Sequence, residues 1–135
     1  MLQPEISYFR RNELSSFSEP IIAPDKLRVA TATHIYYIDI RDIVRIQSIS
    51  NYSKLFFTSG QTLLVSKVLA YFEELLGGCH FSRVHRTHLV NLLYLKEYSQ
   101  GDIPRIGLIN NEVLPVSRRK KKLLQQKMRL LSLQH

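Results

Sequence analysis

The chain has 135 residues, of which 44% are hydrophobic and 22% charged, and it carries a formal net charge of +8. That composition excludes a disordered polyelectrolyte and fits one domain with a modest core. No apolar run approaches the roughly 18 residues of a membrane-spanning helix, and the single cysteine, Cys79, excludes an internal disulfide.

The opening segment, "MLQPEISYFRRNEL", lacks the apolar centre of a signal peptide, so a reducing cytoplasm is the expected location. Residues 1–25 read as an N-terminal arm or linker, because "SSFSEPIIAP" mixes serine with Pro20 and Pro24, which discourage a helix. Residues 26–135 form the expected domain. From Leu27 the pattern is that of strands. "LRVATATHIYYID" alternates through Val29, Thr31, Thr33, Ile35 and Tyr37, with a turn near Ala32–His34. "IRDI" breaks the run, "VRIQSIS" alternates again, and "NYS" interrupts. "KLFFTSGQTLLVS" reads as a hairpin turning at Ser59-Gly60-Gln61.

A helix follows. Ser66 is the expected N-cap, Val68, Leu69, Phe72, Leu75 and Leu76 share one face, and Gly77-Gly78 stops it. "FSRVHRTHLVN", residues 81–91, fits neither the helical nor the strand period and sets two arginines and two histidines among apolar residues. "LYLKEYS", "RIGLIN" and "EVLPVS" read as three short strands separated by turns at "QGD" and "NNE". A terminal helix is expected after a Ser117 cap, with Leu124, Met128 and Leu131 along one side. The fold class is therefore mainly β with short helices, one internal and one C-terminal. No GxGxxG or P-loop pattern occurs.

Catalytic and metal chemistry find little support. Cys79 and His80 are chain neighbours, which does not place a base beside a thiol. His85 and His88, three apart, have no acidic residue or cysteine beside them to complete a tetrahedral set. The carboxylates are scattered, with no acid–base pair. No enzyme activity, cofactor or metal is expected.

Charge placement is more informative. Residues 113–135 hold Arg118, Arg119, Lys120, Lys121, Lys122, Lys127 and Arg129 and no acid, whereas the other 112 residues hold 12 basic and 11 acidic side chains. Such a surplus fits an anionic partner: nucleic acid, an anionic membrane or an acidic protein. The plain alternative is a solvated tail. "RRKKK" falls in the first turns of the terminal helix, where the dipole makes each exposed cation cost ~0.3–1 kcal/mol at low salt. A phosphate there would meet both side chains and free backbone N–H groups.

The run "DIVRIQSISNYSKLFFTSGQTLLVSKVLAYFEELLGGCHFSRVHRTHLVNLLYL", followed by "VLPVSRRKKK", resembles the LytTR-type DNA-binding domain of bacterial transcription regulators. The resemblance covers Leu27 to Leu124, and "FSRVHRTHLVN" and "LPVSRRKKK" are its most specific parts. It implies an elongated arrangement of small antiparallel sheets that inserts loops into successive major grooves of double-stranded DNA. By position it implies DNA contacts from Asn51, Tyr52, Ser53 and Lys54, from Arg83, His85 and Arg86, and from Ser117 and Arg118. Arg119, Lys120, Lys121 and Lys122 extend the last group.

On this basis Arg86 and Arg118 are the expected base readers, since a guanidinium bonds guanine O6 and N7 together. Lys54 and the lysines at 120–122 are expected to hold phosphates. Two readings stand for Tyr52 (base contact or strand-end packing), for Asn51 (contact or turn cap), for His85 (phosphate or backbone) and for Arg83 (contact or support of the loop). His88 and Asn91 read as structural, with Asn91 bonding backbone groups. The implied partners are DNA with repeated half-sites and a second copy of the chain assembled on it. Many relatives carry a receiver domain that 25 residues cannot hold, so the chain is expected to be a stand-alone regulator or the C-terminal piece of one served by a receiver or sensor partner. The rival function is a basic module that binds an anionic membrane or acidic protein through its terminal helix.

Overall fold

The structure, a computed structural model, describes residues 21–23 and 25–134. Eleven strands and two α-helices follow one another along them. β1 (Ile21–Ala23), β2 (Lys26–Ala30) and β3 (Ile35–Asp39) form a three-stranded antiparallel sheet in that order. Pairing thus begins at Ile21, inside the stretch read as the arm; residues 1–20 lie outside the described residues. The turn falls at residues 31–34, as expected, with the Thr31 N–H donating to the His34 carbonyl.

The central sheet has five antiparallel strands in the order β6-β5-β4-β8-β7, built from β4 (Ile43–Ile49), β5 (Tyr52–Phe57), β6 (Thr62–Val65), β7 (Phe81–His85) and β8 (His88–Asn91). β5 alternates cleanly, with Ser53, Leu55 and Phe57 buried and Tyr52, Lys54 and Phe56 on the other face. β9 (Leu95–Ser99), β10 (Arg105–Leu108) and β11 (Val113–Pro115) form a third sheet in the order β11-β10-β9. Asn91 holds two sheet segments together: its Nδ2 donates to the Ile43 carbonyl, and its Oδ1 accepts from the Leu93 N–H, capping a 3-10 turn.

Both faces of the central sheet are covered. On one face Ile46, Leu55, Phe57, Phe81 and Leu89 pack with Leu27 and Ile38 of the first sheet and with Leu69, Phe72 and Leu76 of α1 (Leu69–Leu76). On the other, Val44, Val84 and Val90 pack with Ile106, Leu108 and Leu114 of the third sheet and with Leu124 of α2 (Arg118–Gln134). The N-cap of α1 is Val68, which gives no side-chain cap, and not Ser66 as the sequence suggested. Ser53 lies beneath this loop, and its hydroxyl donates to the Lys67 carbonyl at 2.6 Å. Beyond Gly77 the chain turns away through His80, whose φ of 70° is left-handed.

An ion pair ties the central sheet to the third. Buried Arg45 on β4 donates from Nε and Nη2 to the two carboxylate oxygens of Glu112 at 2.8 and 3.0 Å, and from Nη1 to Gln47 Oε1 at 2.9 Å. Its guanidinium lies 3.7 Å from the centroid of the Phe56 ring. The bonds from Arg45 hold the Glu112 carboxyl below the usual range. Removing one partner of a fully buried pair costs about 3–5 kcal/mol. Glu112 keeps a third of its side chain in water, so Glu112→Ala should cost about 2 kcal/mol in urea unfolding. Arg45→Met should cost less, because the carboxylate it strands can be hydrated.

Candidate nucleic-acid interface

Three segments meet at one end of the central sheet, and backbone hydrogen bonds hold them there. The β4–β5 turn is Ser50–Asn51, fixed by the pairing of Ile49 with Tyr52. Ser50 supplies a φ of 55°, the left-handed first position that suits the twist of a two-residue hairpin. The puzzling 81–91 stretch is a second hairpin, β7–β8, with Arg86–Thr87 at its tip and His85 opposite His88. Its irregular pattern has a cause: Val84 is an extra residue in the ladder, a bulge between the Arg83–Leu89 and His85–His88 pairs. Phe81 and Leu89 enter one core, and Val84 and Val90 the other.

The Ser48 N–H donates to the Thr87 carbonyl at 2.9 Å, which fastens the two tips together. The Ser117 N–H donates to the carbonyl of the bulged Val84 at 2.8 Å, which fastens the start of α2 to the same tip. Ser117 caps α2 as expected, its Oγ accepting from the Arg119 N–H at 3.2 Å. From there α2 runs back along β7, and Lys127 Nζ donates to the Phe81 carbonyl at 2.8 Å near the strand's other end. Lys127 is thus a structural lysine, and burial lowers its pKa. Arg118 through Lys122 are the first five residues of the helix, so the helix does not wait until after the basic run to begin.

The residues expected at the site divide in two. Arg86, Asn51, Tyr52, Arg118, Arg119 and Lys122 are exposed, and Lys54, His85, Ser117, Lys120 and Lys121 are partly exposed. Among the described residues neither Arg86 nor Arg118 has an ion-pair partner. Ser53 is fully buried beneath the β4–β5 tip. Arg83 is turned inward: its Nη1 donates to Glu73 Oε1 on α1 at 2.7 Å, its Nε to the His85 carbonyl at 3.0 Å, and its Nη2 to the Arg86 carbonyl. His85 Nδ1 accepts from the Thr87 N–H at 3.3 Å and lies 3.0 Å from the Thr87 hydroxyl. In the neutral ring this leaves Nε2–H as a donor.

Thr87 was absent from the expected set, although its carbonyl and hydroxyl both brace the interface. A threonine at a turn carries no signal of its own until the strands on either side are assigned. Glu73 was also missed. It reads as one acid on a helix face, and only the fold brings it to Arg83.

His85 and His88 do come together, as a cross-strand pair with ring centroids 5.6 Å apart and not on a helix face. Among the described residues no group of three histidine, cysteine or acidic side chains gathers as a metal site. His88 is buried, and its Nδ1 has no hydrogen-bond partner among the described residues. Burial, followed by the charges of Arg45 and His85, lowers its pKa from 6.5 to about 4.

A family model described as the LytTr DNA-binding domain matches residues 33–129. The heme-containing CO-sensing transcriptional regulator RcoM 2 of Paraburkholderia xenovorans (strain LB400) is 32% identical over an alignment of 97 residues that covers 69% of this chain and 36% of that protein. The chain therefore spans about a third of the length of that relative. Among solved structures, a LytTr DNA-binding domain from Bacillus cereus superposes with a TM-score of 0.66 at 18% identity, covering 78% of this chain and 98% of the other. The mainly β fold of antiparallel sheets and two helices is shared with it.

The buried His88 sets a pH dependence. Its folded pKa, about 4, lies below the unfolded 6.5, so the unfolded chain takes up the proton first. The stability it contributes is complete above pH 6.5 and is lost as pH falls toward 4. The loss should reach about 2–3 kcal/mol. Urea unfolding of the wild type should weaken across that window, and His88→Gln should remove most of the slope. The lowered Glu112 acts in a separate window, with stability lost below about 4.5.

Proposed function

The chain belongs to the LytTr DNA-binding domain family, and from that premise we propose that it regulates transcription by recognising specific sequences in double-stranded DNA, with Arg86 and Arg118 as its base readers. The observation that carries this reading is the hydrogen bond from the Ser117 N–H to the Val84 carbonyl. It holds the residue before Arg118 against the strand that ends at the Arg86 turn, which supports the reading that one duplex meets both guanidinium groups. A guanidinium that bonds guanine O6 and N7 together discriminates against the wrong base by about 1–3 kcal/mol.

Around the readers lie the phosphate holders. Arg119, Lys120, Lys121 and Lys122 surround the N-terminus of α2, where free N–H groups and the helix dipole favour an anion. Lys54 and His85 flank the two hairpin tips, and exposed Asn51 and Tyr52 extend the surface over the β4–β5 turn. Ser53 and Arg83 act from beneath it. The apolar side of α2 is committed to the core, since Leu124 is fully buried and Met128 and Leu131 pack beside it. Among the described residues no helix is long and apolar enough to cross a membrane. The protein acts in the cytoplasm, two copies bind repeated half-sites as a DNA-assisted homodimer, and a receiver or sensor supplies the signal.

Selection of bound duplexes from a random pool should return a repeated motif. Affinity for it should fall about 10³-fold between 50 and 200 mM salt if roughly six phosphates are neutralised. Arg86→Ala and Arg118→Ala should each relax preference at particular base positions, while Lys121→Ala should weaken all duplexes alike and lower the salt slope by about one. A flat salt response, or the same behaviour from all three variants, would refute the assignment.

A further inference from the structure

The β7–β8 turn is not one that a hairpin of this length holds unaided. Two-residue hairpin loops match the strand twist when left-handed φ values occupy the loop, usually at glycine or asparagine. Here the loop is Arg86–Thr87, and the positive φ values of the described non-glycine residues fall at Ser50, His80 and Asn111 instead. The tip therefore takes its shape from groups outside the loop.

Beside the Ser48 and His85 bonds to Thr87, Arg83 supplies two of the bonds that hold it. One guanidinium bonds two successive carbonyls, those of His85 and Arg86, on either side of the Arg86 amide. A guanidinium holds several acceptors at fixed angles only when it is itself fixed. What fixes it is Glu73, whose carboxylate accepts from Nη1 at 2.7 Å. Glu73 stands on α1, whose neighbours Phe72 and Leu76 are fully buried in the core, so the anchor is rigid.

We propose that Glu73 is a positioning residue for base readout: through Arg83 it fixes the backbone that carries Arg86, and so sets sequence discrimination without touching DNA. The proposal rests on Arg86 being a base reader. Phosphate holding tolerates small displacements, because a point charge acts over distance. A bidentate contact to a base edge does not.

The test compares the selected duplex with a scrambled one in the same buffer, using the whole chain. Arg86→Ala should lower the ratio of the two affinities by about 5- to 150-fold. Glu73→Ala should lower it about fivefold, while affinity for the scrambled duplex and the salt slope stay unchanged. Glu73→Gln, which keeps an acceptor oxygen, should recover part of the loss. In an Arg86→Ala background Glu73→Ala should have no further effect on the ratio. Independently of DNA, amide exchange at Thr87 and His88 should quicken in Glu73→Ala while β5 is unchanged.

The proposal is overturned if Arg86→Ala lowers the ratio and Glu73→Ala does not. Equal weakening of both duplexes by Glu73→Ala, or full additivity with Arg86→Ala, overturns it as well. If Arg86→Ala itself leaves the ratio intact, the base-reading assignment fails and this proposal falls with it.

Discussion

Two main-chain hydrogen bonds, from the Ser48 N–H to the Thr87 carbonyl and from the Ser117 N–H to the Val84 carbonyl, set the relation of everything at the working end of the molecule. Each has a net worth of only about 1 kcal/mol, and their importance is geometric. They join a β4–β5 turn, a β7–β8 turn and a helix N-terminus that are far apart in the chain. Because they run between backbone atoms, they do not depend on the side chains displayed at the tips. The frame can persist while the reading residues change. The bulge at Val84 makes the second bond possible, since it leaves an extra residue outside the ladder register beside α2. Cores on both faces of the central sheet keep its end from twisting away from this arrangement.

The arginines sort by environment. Arg45 and Arg83 are held against Glu112 and Glu73, each with further acceptors from a neighbouring side chain or the main chain, and they act as internal struts. Arg86, Arg118 and Arg119 are exposed, with no ion-pair partner among the described residues. The C-terminal segment contributes no acids, so the surplus charge gathers around the start of α2. That placement opposes the helix dipole. The helix nonetheless starts at Arg118 because Ser117 caps it and because Leu124, Met128 and Leu131 anchor it to the second core. Tertiary packing stabilises a helix whose first turns are electrostatically poor, and a phosphate bound there would relieve the opposition.

Much of this was legible in the sequence wherever one face of an element is buried and the other wet. β5 shows it in the alternation of Leu55 and Phe57, and α1 in the spacing of Leu69, Phe72 and Leu76. The Ser117 cap was legible too, since it immediately precedes the periodic run of α2. The β7–β8 hairpin was not, for two reasons. Both of its faces are buried, so Ser82, Val84 and Phe81 are all inside, and the Val84 bulge then reverses the parity. Ser53 looked like a surface residue because it adjoins a turn. Only the folded chain brings the Lys67 carbonyl over its hydroxyl. Ser66 had the chemistry of a cap, yet the chain continues extended through Val68. The family resemblance pointed to loops that the fold brings to one end of the central sheet, and it did not separate the exposed side chains from those that brace the turns.

The geometry also grades the basic residues by how closely their backbone is fixed. Arg86 has its own carbonyl and that of its predecessor held by Arg83, and the carbonyl of its successor Thr87 held by Ser48. Arg118 follows directly after Ser117, whose amide is bonded to Val84. The lysines at 120–122 stand further along the helix, on long flexible stems. That order follows the demands of the two chemistries. A planar fork reading a base edge needs its backbone placed within a fraction of an ångström, because two hydrogen bonds must form at once. An ammonium group near a phosphate needs only proximity, and its flexibility lets it follow the backbone of whatever sequence is bound. If Arg86 and Arg118 read bases as proposed, the main-chain bonds beside them and the long stems of the lysines are an arrangement that would separate specificity from affinity.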